Sequence, residues 1–320
     1  MAVQIAVIDD WQDVARGVVD WSVLDSVGQV TFLHEYPADR DTLVERLQRF
    51  EVICVMRERT LFDEGLLRRL PNLKLLLTGG MRNAALDLKA AAELGIQVCG
   101  TDSYKHATPE LTWALIMALT RNLVQEANAL RAGLWQQGLG GDLYGKTLAI
   151  LGLGSIGTRV AQFGQVFGMR VIAWSQNLSA ERAAEVGVTC VSKQALFEQA
   201  DILSIHLVLG ERTRGLVDAQ ALAWMKPEAL LVNTSRGPIV DETALIDALQ
   251  HKRLAGAALD VFAQEPLPAA HPFRTLDNVL ATPHVGYVSR QNYQRFYSLM
   301  IEDLLAWAAC QPIRVLTPAG

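Results

Sequence analysis

Residues 148–157 read Leu148-Ala149-Ile150-Leu151-Gly152-Leu153-Gly154-Ser155-Ile156-Gly157, an apolar run of strand length ending in G-x-G-x-x-G. Thr158 to Phe167 then reads as a helix, and Met169 to Trp174 as a second strand. Glycines in that order suit one piece of chemistry, the binding of a dinucleotide pyrophosphate. Gly152 permits the tight turn, Gly154 lets the backbone approach the phosphates, and Gly157 lets helix and strand pack closely. The unpaired amides and positive dipole end of the helix then face the anion.

A unit specific for NAD carries an Asp or Glu about 20 residues further on, which binds the ribose 2′-hydroxyl. Here Ser175 stands at the end of the second strand, in Ala173-Trp174-Ser175-Gln176-Asn177. An acid there would repel a 2′-phosphate, so its absence removes the main barrier to NADP. No arginine follows directly, and Arg182 and Arg159 are the nearest basic residues. The expected cofactor is NAD(P)(H), with NADP slightly favoured over NAD. Metal chemistry is not expected. The four cysteines, Cys54, Cys99, Cys190 and Cys310, lack metal-ligand spacing, and we read them as buried, reduced thiols of a cytoplasmic protein.

The surrounding elements must position this fingerprint. A chain of 320 residues suggests two domains. Half of the residues are hydrophobic and the formal charge is -5, with no Lys/Arg block, so neither nucleic acid nor an anionic membrane surface is an expected partner. The apolar run Leu111 to Leu119 is too short to span a bilayer, and the N-terminus lacks the basic region of a signal peptide. Strands are expected at Gln4–Ile8, Val52–Met56, Leu73–Leu77 and Gln97–Cys99. Helical patterns lie between them at Arg40–Arg49, Asp63–Leu70 and Leu86–Leu94. That alternation predicts a parallel sheet covered by helices.

Pro109-Glu110 opens an apolar helix expected to run through Leu119 to Arg131, followed by a Gly-rich loop from Gly133 to Gly145 that holds Trp135. Beyond the fingerprint, strands are expected at Ile202–His206, Leu230–Asn233, Gly256–Leu259 and Val279–Ala281. A last helix is expected over Ser289–Ala309. The economical arrangement is α/β, with two Rossmann-like, doubly wound parallel-sheet domains. The dinucleotide-binding domain (102–285) is inserted between the two parts of a substrate domain (1–101 plus 286–320). A cleft between such domains is where a small-molecule site is expected.

Three further stretches carry a resemblance: Val232-Asn233-Thr234-Ser235-Arg236-Gly237-Pro238-Ile239-Val240-Asp241-Glu242, Leu259-Asp260-Val261-Phe262-Ala263-Gln264-Glu265-Pro266-Leu267 and Ala281-Thr282-Pro283-His284-Val285-Gly286. In order, type and spacing the chain resembles the D-isomer-specific 2-hydroxyacid dehydrogenase family. Two weaker matches, Met56-Arg57-Glu58-Arg59-Thr60 and Ala107-Thr108-Pro109-Glu110-Leu111, fall where that family has its substrate loop and its hinge.

The resemblance implies hydride transfer between NAD(P)(H) and a small anionic 2-keto or D-2-hydroxy acid, with Arg236, Glu265 and His284 as the catalytic set. An imidazole can give or take a proton near neutral pH. Glu265 would hold that ring and stabilise its cationic form. Arg236 would grip carboxylate and carbonyl oxygens through its planar fork. The family further implies that Ser155 and Ile156 present amides to the pyrophosphate, that Thr234 and Ser235 line the cofactor cleft, and that Thr108 contacts the cofactor. Asp260 would accept from the nicotinamide carboxamide, and His206 would lie beside the cofactor. The backbone of Gly79, Gly80 and Met81 would bind the substrate carboxylate, aided by the charges of Arg57, Arg59 and Arg82. Domain closure would exclude water. A homodimer through the nucleotide domain is expected, with the segment Leu111–Leu130 buried between subunits. A different role in the same fold, a dinucleotide-sensing corepressor-like binding protein, would keep the same three residues.

Overall fold

Apolar runs too continuous for a half-exposed sheet dominate both halves of the chain, and each forms a parallel sheet. A computed structural model describes residues 2–35, 37 and 39–318. The chain divides into unit 1 (Met1–Tyr104 with Val288–Gly320) and unit 2 (Lys105–Tyr287).

In unit 1 the strands are β1 (Val3–Val7), β2 (Gly28–Phe32), β3 (Val52–Val55), β4 (Leu75–Thr78) and β5 (Gln97–Gly100). All pairs are parallel, in the order β2-β1-β3-β4-β5. Every residue of β3 and β4 is buried, the signature of strands covered on both faces. The last helix, Arg290–Ala308, caps its start with Ser289 and buries Tyr293, Phe296, Tyr297, Met300 and Leu304 within this unit. The chain end returns to β5: Gly100 N–H donates to Arg314 O (3.0 Å) and Leu316 N–H to Val98 O (2.9 Å). Strand order reverses between β1 and β3, so the carboxyl ends of β1, β3 and β4 border the position where such a sheet can take a ligand.

Unit 2 holds β6 (Thr147–Leu151), β7 (Arg170–Trp174), β8 (Thr189–Cys190), β9 (Ile202–Ile205), β10 (Leu230–Asn233), β11 (Gly256–Leu259) and β12 (Val279–Ala281). They run parallel in the order β12-β11-β10-β9-β6-β7-β8. The order reverses between β6 and β9, so the crevice of this sheet opens outside their carboxyl ends. Both chain segments of the expected α/β, doubly wound architecture are thus parallel sheets.

Four readings need correction. The single helix expected from Pro109 to Arg131 is two, Ala107–Thr120 and Leu123–Arg131, broken at Asn122. Asn122 takes φ +50°, a left-handed conformation that asparagine tolerates better than most residues. Thr120 O at the break accepts Gly141 N–H (2.8 Å), which returns the Gly-rich loop onto the helix end. Secondly, β2 and β8 were not expected: one is half-exposed and the other two residues long, so neither carries a clear period.

Thirdly, the apolar segment Leu111–Leu130 divides. Leu115, Ile116 and Leu119 pack into the core of unit 2, whereas Leu123, Val124 and Leu130 are exposed. Finally, only Cys54 and Cys99 are buried, and Cys310 is exposed. Burial pushes the thiols of Cys54 and Cys99 up to about 12, which keeps them protonated and unreactive. No helix among the described residues is long and apolar enough to cross a membrane.

Candidate active site

The fingerprint is built from unit 2 outward. Gly152 follows β6 with φ +105°, and a Cβ on it would lie 2.9 Å from the His206 carbonyl. Only glycine meets both demands. A Cβ on Gly157 would lie 2.1 Å from Gly152 O, so its missing side chain lets the helix Ser155–Val166 start hard against the strand end. Gly154 is the N-cap of that helix and offers no side-chain cap, and a Cβ there would meet nothing within 4 Å. The first-turn amides therefore open onto space with no side chain in the way. That cradle fits a pyrophosphate.

At the end of β7, Ser175 is half-buried and is followed by exposed Gln176 and Asn177. Arg182 is held by an ion pair to Glu185 one turn away, and Arg159 is exposed on the fingerprint helix. His206 follows β9 directly. Its Nε2 lies 2.8 Å from Ser204 Oγ, and its buried Nδ1 has no partner. Burial drives its pKa down to about 3, so this ring is neutral at physiological pH.

Arg236, Glu265 and His284 sit on the loops after three neighbouring strands, β10, β11 and β12. Local bonds shape each loop. Asn233 Nδ2 donates to Arg236 O (3.0 Å) and Ser235 N–H to Asn233 Oδ1 (3.0 Å), while the Ser235 hydroxyl donates to Leu207 O. Arg236 Nη1 donates to Ser235 O (2.7 Å). Glu265 Oε1 accepts Phe262 N–H (2.9 Å), which aims its other oxygen at His284. Glu265 Oε2 and His284 Nδ1 are 2.6 Å apart. His284 itself takes φ +52°, a strained conformation for a non-glycine residue that clusters at functional sites. Its ring stands edge-on to Tyr287, with centroids 5.6 Å apart.

Asp260 is fully buried. Its Oδ1 accepts from Thr282 Oγ1 (2.6 Å) and Val285 N–H (2.8 Å), and its Oδ2 from Gly286 N–H (2.8 Å). It thus grips the turn on both sides of His284. Burial raises its pKa from the usual carboxylate range. Thr108 Oγ1 donates to Gly286 O (3.0 Å), and Thr234 Oγ1 lies 2.7 Å from Thr112 Oγ1. Tyr287, Thr282 and Thr112 were not foreseen from the sequence. Thr112 had one available signal, its place four residues after Thr108 on the same helix face.

The remaining expected residues belong to unit 1, at the carboxyl ends of β3 and β4. Arg57 has φ +60° and donates through Nη1 to Gly79 O (3.3 Å), beside its ion pair with Glu58 (3.4 Å). Asn83 Nδ2 holds this turn by donating to Arg57 O (2.6 Å) and Thr78 Oγ1 (2.9 Å). Gly80, at φ +101°, lacks the Cβ that would strike Arg57 Nη1. Two of the backbone amides of this stretch are engaged within the unit. Gly79 N–H already donates to Val55 O (3.2 Å) and Gly80 N–H to Thr101 Oγ1 (3.0 Å). Of the three, only Met81 N–H has no acceptor among the described residues. Met81 and Arg82 are exposed. Arg59 is spent inside the unit, on Asp9 O, on Tyr293 OH (3.0 Å) and on the face of Trp11 (4.4 Å).

Residues 113–286 match the model of the "D-isomer specific 2-hydroxyacid dehydrogenase, NAD binding domain". The chain is similar to a glyoxylate reductase of Aeropyrum pernix, 38% identical over 282 residues that cover 85% of this chain and 84% of that protein. It is also similar to a D-3-phosphoglycerate dehydrogenase of Methanocaldococcus jannaschii, 33% identical over 286 residues, 88% of this chain and 54% of the relative. Among solved structures, a phosphoglycerate oxidoreductase from Vibrio cholerae superposes with a TM-score of 0.92 at 40% identity, over 96% of this chain and 99% of the other.

Proposed function

The chain belongs to the D-isomer specific 2-hydroxyacid dehydrogenase family, and from that premise we propose that it reduces small anionic 2-keto acids to D-2-hydroxy acids, and the reverse, with His284 as acid and base. The observation that carries this reading is the 2.6 Å contact between Glu265 Oε2 and His284 Nδ1, in the unit that bears the dinucleotide cradle. With Nδ1–H donated to the carboxylate, Nε2 is the ring nitrogen left to serve the substrate oxygen.

A dinucleotide held at the Gly152–Gly157 turn would supply the hydride for the carbonyl carbon. As charge builds on the carbonyl oxygen, Arg236 polarises it through the guanidinium fork, and His284 Nε2 delivers the proton that makes the hydroxyl. His284 ends neutral, while Glu265 keeps the ring aimed through Nδ1. Asp260 holds the His284 turn, and His206, already neutral, offers no competing proton. Ser155, Ile156, Gly152, Gly154 and Gly157 bind the pyrophosphate, and Thr108, Thr234 and Ser235 border the cofactor. For the substrate carboxylate we assign Met81 N–H with Arg57 and Arg82, on backbone shaped by Gly79 and Gly80. Unit 2 is the dinucleotide domain and unit 1 the substrate domain.

NADP(H) is the favoured cofactor in this reading, since Ser175 brings no negative charge to the 2′ position. Oxidation of NADPH and NADH with glyoxylate, hydroxypyruvate, pyruvate and phenylpyruvate tests the whole proposal. We expect turnover with at least one keto acid and a preference for NADPH. Ser175→Asp should lower kcat/KM for NADPH by roughly ten- to a hundredfold, the size of a misplaced like charge, while sparing NADH. Tight dinucleotide binding with no turnover on any keto acid would instead favour the sensing role. We also propose a homodimer through unit 2, where Leu123, Val124, Leu130, Leu134, Trp135 and Leu139 are all exposed. So much apolar surface on one stretch is characteristic of an interface, and a sedimentation mass of one copy would refute it.

A further inference from the structure

We infer that Thr112, buried in the helix Ala107–Thr120, is a positioning residue that fixes the Thr234 hydroxyl as a hydrogen-bond acceptor for the carboxamide N–H of the dinucleotide. This rests on the reading of unit 2 as a dinucleotide domain and goes beyond it, because Thr112 lies behind Thr234 and is fully buried.

The argument is one of counting protons. A hydroxyl carries one O–H and two lone pairs. Thr112 Oγ1 lies 2.8 Å from Thr108 O, a carbonyl that can only accept. The single proton of Thr112 is therefore committed to Thr108 O. Thr112 Oγ1 also lies 2.7 Å from Thr234 Oγ1, and that contact needs a proton. With Thr112's already placed, Thr234 must donate. The chain of bonds runs one way, from Thr234 to Thr112 to Thr108 O, and leaves Thr234 with lone pairs alone for any ligand.

The same count applies nearby. Thr108 Oγ1 gives its proton to Gly286 O, and Asp260, as a carboxylate, has only lone pairs to offer. Three polar side chains, Thr108, Thr234 and Asp260, are thus joined through Gly286 and Thr112, and every one is an acceptor. A site with this polarity recognises a donor. In a nicotinamide dinucleotide the donor next to the reacting ring is the carboxamide N–H. A methyl ketone in its place puts a methyl group where the N–H stood, so these acceptors lose their donor, and a buried unpaired polar group costs more than a bond gained. Without the Thr112 hydroxyl, Thr234 is free to rotate its proton toward the ligand, and the selection is lost.

The test compares binding, by titration calorimetry, of NADP+ and NAD+ with their 3-acetylpyridine analogues, in which a methyl ketone replaces the carboxamide. The wild-type protein should bind the parent dinucleotides more tightly. Thr112→Val keeps the shape and removes the hydroxyl, and should weaken the parents by roughly fivefold, the size of one neutral hydrogen bond, while changing the analogues by less than about twofold. Thr112→Ser should restore the wild-type gap. Equal weakening of parent and analogue, or no weakening of either, overturns the inference, since a merely structural role would not discriminate between them. If the wild-type protein binds none of the four, the dinucleotide reading itself fails, and that failure is visible before any variant is made.

Discussion

His284→Asn is expected to lower kcat by about two to four orders of magnitude, the usual range for removing a general acid–base group, with no change in dinucleotide affinity. Asparagine is the informative replacement because position 284 sits at φ +52°, which asparagine tolerates. The turn is held from outside the ring: Asp260 accepts Val285 N–H and Gly286 N–H, and His284 N–H donates to Thr282 O (3.0 Å). The backbone should therefore persist and leave the lost proton as the main effect. The pH profile sharpens the test. His206 is neutral down to about pH 3, so it binds no proton as the pH falls from 8 to 4 and cannot supply a limb of kcat/KM in that range. A limb of kcat/KM present in the wild-type protein and absent from His284→Asn would fit the assignment. Near-wild-type turnover in the variant would end it.

Arg236→Ala should cost about two to three orders of magnitude in kcat/KM, the scale reported for losing one pre-organised donor at a developing oxyanion. Arg236→Lys should recover little of it, because an ammonium cannot reproduce the planar, two-pronged contact. The fold should survive. Asn233, Ser235 and Gly237, where a Cβ would lie 2.0 Å from the Phe262 backbone, hold this loop, and the guanidinium adds a bond to Ser235 O (2.7 Å) at its edge. Steady-state kinetics beside a thermal melt separates the two possibilities. A variant that melts like wild type yet keeps full kcat/KM would remove Arg236 from the mechanism.

Much of this molecule was legible in its sequence because the relevant signals are local. The fingerprint needs glycine at Gly152 and Gly157 for reasons confined to one turn, so spacing alone exposes it. The parallel sheets declared themselves through buried runs such as Val52–Val55 and Leu75–Thr78. Strand-end motifs marked Arg236, Glu265 and His284, whose order along the chain matches that of the strands β10, β11 and β12 they follow.

What the sequence left out depends on partners far away along the chain. The break at Asn122 lies beside a carbonyl, Thr120 O, that accepts from Gly141 far along the chain. The commitment of Gly79 and Gly80 amides to Val55 and Thr101 appears only when β3, β4 and β5 lie side by side. The polarity of Thr234 is decided by Thr112, 122 residues earlier. Residue type and spacing determine which groups can bind or transfer; only the tertiary structure decides which protons and lone pairs remain to do it, because each buried polar atom must first satisfy its neighbours.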